Sequence, residues 1–386
     1  MRFITKRVKH DFLNTCASLD TGRLRLKTPE GEVHDFGGSG PEADLTIRDW
    51  SAITSIAARG DIGLGETYVA GLWETSSVAG LIGFALKNRD ALGTFGRPSP
   101  LQTLKMRAVD RILRANSERG ASRNIKAHYD VGNEFYRLWL DDGMTYSSAI
   151  FEHGDNDLER AQNRKYDRVL NRLTDGEQVL EVGCGWGGFA ERAADQGRNV
   201  TGITISPSQR GYADARLDGR ADILLQDYRK THGRFDNIVS IEMIEAVGER
   251  YWPSYFQTLQ RNLAVDGRAV IQAITVRDDY FDTYRNNSDY IRQYTFPGGM
   301  LLSEQTIRQQ ARAAGLEVRD VFAFGQDYAQ TCRIWADRLM AQAPKIRALG
   351  YDTPFLRNWQ YYLELCAGTF AVGQTNVLQV EMAHAH

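Results

Sequence analysis

A glycine-rich loop directly follows a strongly apolar segment near the middle of the chain. Residues 178–182 form a continuous run typical of a buried strand, residues 183–188 read GCGWGG, and a helix is predicted over 189–196. Glycines let the backbone turn sharply and approach a ligand closely. A strand, a glycine turn and a helix in this order are typical of folds that bind a nucleotide-like cofactor at the turn.

Alternating strands and helices surround this loop. Ser206 and Pro207 predict a helix start, because serine caps exposed N–H groups and proline fits the first turn. The expected fold class is therefore α/β, with a doubly wound, mostly parallel sheet. Its further buried strands are predicted over 199–205, 223–225, 235–241 and 267–274.

The identity of the cofactor depends on two positions. Glu181 lies at the end of the first strand, where a carboxylate favours a cationic amino group and disfavours a pyrophosphate. A dinucleotide-binding fold also carries Asp or Glu about 20 residues further on for the ribose, and residues 203–206 contain neither. These features favour S-adenosylmethionine over NAD. Asp227, after the third strand, is either an acceptor for an adenine amine or an ordinary solvated loop residue.

The first 90 residues predict a smaller, mixed α/β domain. Apolar and polar side chains alternate, as in half-buried strands, over 23–27, 31–36 and 43–47. Two helices follow, one over 50–59 and a second that carries Tyr68 and Trp73. No residues in this part of the chain have the spacing of a catalytic motif.

Residues 91–122 predict a linker and then a basic helix, and residues 123–386 predict the cofactor domain. The basic side chains of this helix are Lys105, Arg107, Arg111 and Arg114. Such a face is either solvated or placed against anionic lipid headgroups, where each Lys or Arg contributes roughly 1 kcal/mol.

Composition argues against several other functions. A net charge of −2 provides no basic field for nucleic acid. The longest apolar stretch, over 78–86, is far shorter than the roughly 18–20 residues of a membrane span. The basic N-terminus lacks the apolar segment of a signal peptide. Scattered cysteines without CxxC, and histidines without HExxH, indicate no metal site or disulfide framework, so a reducing cytoplasm is the expected location.

Six segments together resemble the cyclopropane-fatty-acyl-phospholipid synthase family, which includes the mycolic-acid methyltransferases. The resemblance covers about 123–380 strongly and the first 90 residues more weakly, as the family's N-terminal lipid-binding domain. The glycine loop alone is not specific, but the joint match is. The matching segments are 127–136, 144–149, 181–188, 202–206, 240–248 and 294–299.

The resemblance implies a class I methyltransferase fold, which is Rossmann-like, and two sets of site residues. The residues carried over for the S-adenosylmethionine site are Tyr146, Ser147, Gly183, Gly185, Thr204, Gln209 and Asp227. The family also implies a bicarbonate ion near the reacting carbon, and the matching positions in this chain are Ser148, Glu245, Gln272, Ile274 and Tyr328.

Two of the bicarbonate positions depart from the family pattern. Ser148 stands where the family usually has cysteine, and Gln272 stands where it usually has histidine. A contact made through the Ser148 backbone would survive the first change. Gln272 can donate a hydrogen bond through its amide, but it cannot become cationic or move a proton.

The implied reaction is alkylation of the double bond in an unsaturated fatty acyl chain of a phospholipid. An alkene is a weak nucleophile, so it requires a strong electrophile such as a sulfonium methyl held in line. The resulting carbocation needs protection from water, and the many aromatic residues after position 123 offer cation–π attraction. Proton loss from the transferred methyl closes a cyclopropane, whereas loss from a neighbouring chain carbon gives a methyl-branched or methylene chain.

The base has two candidates. One is a bicarbonate oriented by Glu245 and Tyr328. The other is Glu245 itself, since burial raises the pKa of a carboxyl group and makes it a base near neutral pH. Glu242 lies three residues earlier, where one helical turn would point both side chains the same way. The alternative role for both glutamates is a charge that stabilises a helix start.

Three other activities compete with cyclopropane synthesis. The first is the same transfer ending in a methyl-branched or methylene chain, which Gln272 favours. The second is lipid binding without turnover, and the third is N- or O-methylation of a small molecule, which rarely needs such an N-terminal domain. The expected partners are unsaturated phospholipid acyl chains at the inner membrane surface, with the protein bound peripherally. A homodimer is a candidate assembly, and nucleic acid is not an expected partner.

Overall fold

The computed structural model describes residues 2–96 and 131–385. Packing divides the chain into two compact units. The first comprises Met1–Arg111, Thr283–Thr295 and Cys332–Gln374, and the second comprises Ile112–Asp282, Phe296–Thr331 and Thr375–His386. The predicted basic helix, with most of the predicted linker, lies outside the described residues. The division of the chain at residues 90 and 122 stays a prediction.

The elements are numbered in chain order within the described residues. The strands are β1 (Arg23–Lys27), β2 (Val33–Gly37), β3 (Glu42–Ile47), β4 (Trp73–Glu74), β5 (Gln178–Val182), β6 (Asn199–Thr204), β7 (Asp222–Leu225), β8 (Phe235–Ile241), β9 (Leu263–Val276), β10 (Leu316–Ala323) and β11 (Thr375–His384). The helices are α1 (Arg2–Ala17), α2 (Ser51–Arg59), α3 (Asp61–Val69), α4 (Val78–Lys87), α5 (Arg89–Leu92), α6 (Asn133–Arg137), α7 (Leu158–Leu170), α8 (Gly188–Asp195), α9 (Pro207–Leu217), α10 (Trp252–Asn262), α11 (Asp278–Asn286), α12 (Glu304–Ala313), α13 (Gly325–Ala341), α14 (Ala343–Ala348) and α15 (Thr353–Ala371). None of these described helices has both the length and the apolar character needed to cross a membrane.

The first unit contains a four-stranded sheet in the order β2-β1-β3-β4. Strand β1 pairs antiparallel with β2 and parallel with β3. Its side chains alternate between exposed and buried, with Leu24 and Leu26 in the core, so the strands predicted from alternation are confirmed. The prediction that Trp73 lies on the second helix is wrong. Helix α3 ends at Val69, and Trp73 forms the edge strand β4, where its indole N–H donates to the carbonyl oxygen of Leu64.

The core of the first unit includes helix α15, from much later in the sequence. Tyr361 on α15 is fully buried, and its ring centroid lies 5.5 Å from that of Tyr68 and 4.7 Å from that of Tyr290. Gly65 is required at this contact, because a Cβ there would lie 2.2 Å from the Tyr290 ring. Most of the aromatic stretch over 359–363 is therefore buried.

The second unit contains a seven-stranded sheet in the order β10-β11-β9-β8-β5-β6-β7. Strands β5 to β9 are parallel, and β11 is antiparallel to both of its neighbours. Parallel strands are buried on both faces and appear in a sequence as continuous apolar runs. For this reason the five strands predicted in this region are confirmed, and so is the α/β fold class. The sequence pattern does not predict β10 and β11.

The carboxyl ends of the parallel strands meet at one edge of this sheet, which is where α/β folds bind their ligands. Strand β5 ends at the glycine loop, β6 ends at Thr204, β7 ends two residues before Asp227, and β8 ends directly before Glu242. The topology therefore gathers predicted site residues from four strands at a single edge.

Candidate active site

The glycine loop between β5 and α8 has a backbone that glycine adopts most readily. Gly183, Gly185 and Gly187 have φ values of +86°, +52° and +83°, in the left-handed region. A Cβ at Gly183 would lie 2.8 Å from the Met243 side chain, whereas a Cβ at Gly185 would meet no atom within 4 Å. The loop is thus tightly packed at Gly183 and open at Gly185, as a ligand-binding turn requires.

Glu181, at the end of β5, is a buried carboxylate with an unsatisfied oxygen. The residue is 3% exposed, and its Oε2 atom has no hydrogen-bond partner among the described residues. Burial raises the pKa of Glu181 to about 8, although the positive charges of Lys165 and Arg216 oppose this shift. A buried oxygen without a donor costs free energy. The cationic amino group of S-adenosylmethionine fits this position.

Three further residues predicted for the cofactor site lie at or shortly after the ends of β6 and β7. The Thr204 hydroxyl donates to Gln209 Oε1 at 3.0 Å, and both side chains are buried. Ser206 caps helix α9 as predicted. Asp227 is not a freely solvated loop residue, because its side chain is 12% exposed and its Oδ2 atom lies 2.6 Å from Arg229 Nη2. Its contact with adenine stays a prediction.

Tyr146 belongs to an aromatic cluster beside the glycine loop. Its ring centroid lies 5.6 Å from that of Tyr136 and 5.5 Å from that of Trp139. The Tyr136 ring in turn lies 5.1 Å from Trp186, a residue of the loop itself. We refer to these four residues as the aromatic cluster. The cluster brings electron-rich ring faces to the sheet edge where the predicted cofactor residues lie.

Lys165 on α7 is a buried cation that sequence reasoning missed. The residue is 0% exposed, and its Nζ atom donates to Ser147 Oγ at 2.6 Å. Burial lowers its pKa to about 7, against the attraction of Glu242, Asp141 and Glu181. Lys165 therefore lies within electrostatic reach of Glu181 and of Glu242, which is described next. Nothing in the sequence separates it from the other basic residues of its helix.

The carboxylate of Glu242 accepts three hydrogen bonds. Ser148 N donates to Oε1 at 2.9 Å, Gln272 Nε2 donates to Oε1 at 2.7 Å, and the Tyr328 hydroxyl donates to Oε2 at 2.6 Å. We refer to this arrangement as the Glu242 cradle. Its three donors are three of the five positions that the family resemblance implies for bicarbonate. Burial raises the pKa of Glu242, and the hydrogen bonds of the cradle oppose that shift.

Glu245 and Ile274, the other two implied positions, contact each other. Ile274 N donates to Glu245 Oε1, and the buried Oε2 atom has no hydrogen-bond partner among the described residues. Burial, followed by repulsion from Glu242, raises the pKa of Glu245 to about 8.

The expectation that both glutamates share one helical turn is wrong. The turn begins at Ile244, and Glu242 precedes it with a left-handed backbone at φ +49°.

Gln379 on β11 orients Gln272. Its Nε2 atom donates to Gln272 Oε1 at 3.0 Å, and Arg168 Nη1 donates to Gln379 Oε1 at 2.9 Å. Because the amide oxygen of Gln272 is engaged in this way, its Nε2 atom is directed at Glu242 as a donor. Gln272 therefore acts as a neutral donor, whereas a histidine in its place would be able to carry charge.

Replacing Glu245 with glutamine is expected to change how stability depends on pH. A carboxyl whose pKa is higher in the folded protein than in the unfolded chain lowers stability as pH rises between the two values. For Glu245 this window runs from the ordinary value of 4.5 to about 8. Glutamine at this position cannot ionise, so the free energy of unfolding of Glu245→Gln should exceed that of wild type by an amount that grows as pH rises through this window. The difference is at most about 1.4 kcal/mol for each unit by which the folded and unfolded pKa values differ.

Urea denaturation at pH 5 and pH 8 measures this difference. The exposed carboxylate of Glu317, replaced with glutamine, serves as the matched control and is expected to follow wild type. Parallel pH profiles for wild type and Glu245→Gln would show that the Glu245 carboxyl has no raised pKa.

Comparisons with known proteins identify the family of this chain. The family described as mycolic acid cyclopropane synthetase matches residues 116–380. The chain is 35% identical over 377 residues to tuberculostearic acid methyltransferase UfaA1 of Mycobacterium tuberculosis, covering 92% of this chain and 86% of that protein. It is also 35% identical over 349 residues to the cyclopropane-fatty-acyl-phospholipid synthase of Escherichia coli, covering 89% of this chain and 88% of the synthase.

A solved structure shares the fold of much of this chain. Mycolic acid cyclopropane synthase CmaA1, complexed with SAH and CTAB, is 30% identical to this chain, with a TM-score of 0.63. The match covers 68% of this chain and 97% of that protein. The mostly parallel seven-stranded sheet with a glycine loop after β5 is that of the class I methyltransferases. The chain therefore belongs to the mycolic acid cyclopropane synthetase family and is an S-adenosylmethionine-dependent methyltransferase.

Proposed function

We propose that the protein transfers the methyl group of S-adenosylmethionine to a double bond in an unsaturated fatty acyl chain of a phospholipid and closes a cyclopropane ring. The observation that carries this proposal is the pair of buried glutamates, Glu242 and Glu245, at the sheet edge that also holds the glycine loop. Ring closure requires removal of a proton bound to carbon, and a buried carboxylate with a raised pKa suits that task.

The residues proposed to hold the methyl donor lie along the same edge. Glu181 would receive its amino group, and the glycine loop would approach its amino-acid part. The remaining proposed contacts are Tyr146, Ser147, Thr204, Gln209 and Asp227. When bound, the donor supplies a sulfonium methyl, an electrophile strong enough to alkylate an alkene. The protein contributes by holding the double bond in line with that methyl group, and such positioning removes several kcal/mol from a barrier.

The carbocation formed by methyl transfer needs stabilisation and protection from water. The aromatic cluster offers ring faces, each worth roughly 0.5–2 kcal/mol of cation–π attraction. A nearby carboxylate adds direct attraction between opposite charges. In the family resemblance a bicarbonate ion, held by Ser148, Gln272, Ile274, Tyr328 and Glu245, would fill that role. In this chain three of those contacts are made to the Glu242 carboxylate.

The acceptor is proposed to be a phospholipid at a membrane surface. The Escherichia coli relative is named for a fatty-acyl-phospholipid substrate, and the match covers 89% of this chain. The first unit, with its N-terminal four-stranded sheet, is the proposed lipid-binding part. We propose peripheral association with the inner membrane surface from the cytoplasm, and a homodimer is the proposed assembly.

A methyl-branched or methylene product is the second candidate. Gln272 is fixed as a neutral donor, so it cannot help move a proton as a histidine would. One relative, UfaA1, is named for tuberculostearic acid and not for a cyclopropane. Both products arise from the same methyl transfer. Loss of a proton from a chain carbon gives a methyl-branched alkene, whereas a methylene forms when a hydride first shifts from the methylated carbon to the cation and the transferred methyl group then loses a proton.

Label transfer to vesicles tests the proposed acceptor. Purified protein would be incubated with S-adenosylmethionine labelled in its methyl group and with vesicles of unsaturated phospholipid. Vesicles of saturated phospholipid with the same headgroup are the matched control. We expect label in the unsaturated lipid alone. Label in both lipids, or in soluble amines or phenols and in neither lipid, would refute transfer to an acyl double bond.

A further inference from the structure

We propose that the Glu242 carboxylate is itself the anion beside the reacting carbon, so that it replaces bicarbonate as the general base. This inference rests on the proposed function and names the group that removes the proton. Its basis is the Glu242 cradle, in which the chain's own carboxylate accepts the donors that a separate anion would need.

The cradle is assembled from three separate segments of the second unit. Ser148 comes from the segment before α7, Gln272 from strand β9 and Tyr328 from helix α13. Their donors reach the two carboxylate oxygens at 2.6–2.9 Å. Hydrogen bonds to an ionised carboxylate are roughly twice as strong as neutral ones. Three such donors would stabilise the ionised form of Glu242 in place.

The backbone at Glu242 is strained in a way that serves this placement. Its φ is +49°, a left-handed conformation that is unfavourable for a residue with a Cβ. Its N–H donates to the carbonyl oxygen of Gln272 at 2.8 Å, which holds that backbone against β9. Strained residues of this kind cluster at functional sites. A glycine would relieve the strain, but it would leave the cradle without a carboxylate.

The charges around the cradle leave little reason to bind a further anion. Glu242 and Glu245 repel each other, and burial together with this repulsion raises the pKa of Glu245 to about 8. Glu245 therefore holds its proton at neutral pH, while Glu242 has three donors and the nearby cation of Lys165. A bicarbonate beside the ionised Glu242 carboxylate would place a second negative charge in a buried site, which is unfavourable.

The proton balance of the step is simple. The alkene electron pair forms the new carbon–carbon bond as the methyl–sulfur bond breaks, and the electrons of that broken bond stay on sulfur. The neighbouring carbon becomes a carbocation. A C–H bond of the transferred methyl then supplies its electron pair to close the ring, and the proton passes to the Glu242 carboxylate. Glu242 returns the proton to solvent before the next turnover.

Bicarbonate dependence tests this assignment in the full-length protein. Label transfer to unsaturated vesicles would be measured in buffer freed of carbon dioxide and again after bicarbonate is added. We expect wild type to be equally active in both. We expect Glu242→Gln to lose at least about 100-fold in turnover in both, the usual contribution of a general base. Calorimetric binding of S-adenosylmethionine to Glu242→Gln, expected to persist, shows that the variant is folded.

Glu242→Gly provides a second, rescuable variant. Glycine accepts the left-handed backbone and leaves the three donors available to an added anion. We expect this variant to be inactive without bicarbonate and to regain turnover when bicarbonate or formate is added. Wild-type activity that requires bicarbonate, or near-wild-type activity in Glu242→Gln, would overturn the proposal while leaving the proposed function intact.

A crystal structure grown with bicarbonate gives an answer that does not depend on turnover, should the wild type transfer no label to lipid. We expect the Glu242 carboxylate between Ser148 N, Gln272 Nε2 and the Tyr328 hydroxyl. A separate planar anion in that position, with Glu242 turned away, would overturn the assignment.

Discussion

Gly185→Val is expected to abolish binding of S-adenosylmethionine to the folded protein. The valine side chain would fill the open space at the loop, where an added Cβ meets no protein atom within 4 Å. Because this space is where the methyl donor is proposed to lie, the effect is steric exclusion of the ligand. We expect the affinity measured by calorimetry to fall at least about 100-fold, or roughly 2.8 kcal/mol, with loss of turnover in parallel.

Backbone strain is the other effect of this substitution, and a second glycine isolates it. Gly197, just beyond the end of α8, has φ +79° and also offers open space to a Cβ, but it lies outside the loop. Gly197→Val should therefore lose some stability and keep its affinity for S-adenosylmethionine. Unchanged affinity in Gly185→Val would refute the assignment of the loop to the methyl donor.

Tyr328→Phe is expected to lower kcat with little change in KM. The substitution removes the hydroxyl that donates to Glu242 Oε2 at 2.6 Å and leaves the ring in place. A hydrogen bond to a charged group contributes about 1.5–3 kcal/mol, so we expect kcat to fall about tenfold to a hundredfold. Loss of this donor also raises the pKa of Glu242, so the rising limb of the pH–rate profile should move to higher pH.

Steady-state kinetics of label transfer at several pH values measures both effects. Tyr351→Phe is the matched control, because Tyr351 stacks on Phe355 at 4.1 Å in the first unit, outside the predicted site residues. A fall in kcat without any movement of the pH profile would indicate that Tyr328 contributes only to packing.

The parallel strands were predictable because each contains a short apolar core, such as residues 179–180 in β5, 223–225 in β7 and 269–271 in β9. Strand β11 is equally buried, yet its run is interrupted by Gln379 and Glu381. Those polar groups are tolerated because arginines from elsewhere in the unit reach them. Arg168 donates to Gln379, and Arg172 and Arg268 both donate to Glu381. Partners so distant in sequence leave no local pattern, so the strand is not predictable from its own residues.

The sequence predicted which residues lie close together at the candidate site better than it predicted their hydrogen-bond partners. The motif positions Ser148, Gln272 and Tyr328 do converge on one carboxylate, as the resemblance implies for an anion. That carboxylate belongs to Glu242, which the sequence pattern places at the start of a helical turn. In the structure the backbone of Glu242 is left-handed, and this conformation determines where its carboxylate points. Only the structure reveals such a conformation at a residue other than glycine.

The composition of the first unit shows a third limit. Its sheet follows from local alternation, but its core also takes Tyr290 and Tyr361 from segments more than 190 residues further along the chain than Tyr68. Hydrophobic periodicity shows that a helix such as α15 has a buried face. It does not show which sheet that face covers.

Carbon-13 NMR of the lipid product tests the central claim most directly. Wild-type protein would be incubated with S-adenosylmethionine carrying carbon-13 in its methyl group and with vesicles of unsaturated phospholipid, and the fatty acids would then be released. We predict that the label appears as an upfield cyclopropane methylene bonded to two former alkene carbons. Label found as a methyl branch or a vinylidene carbon would contradict ring closure, and lipid without label would contradict the proposed reaction altogether.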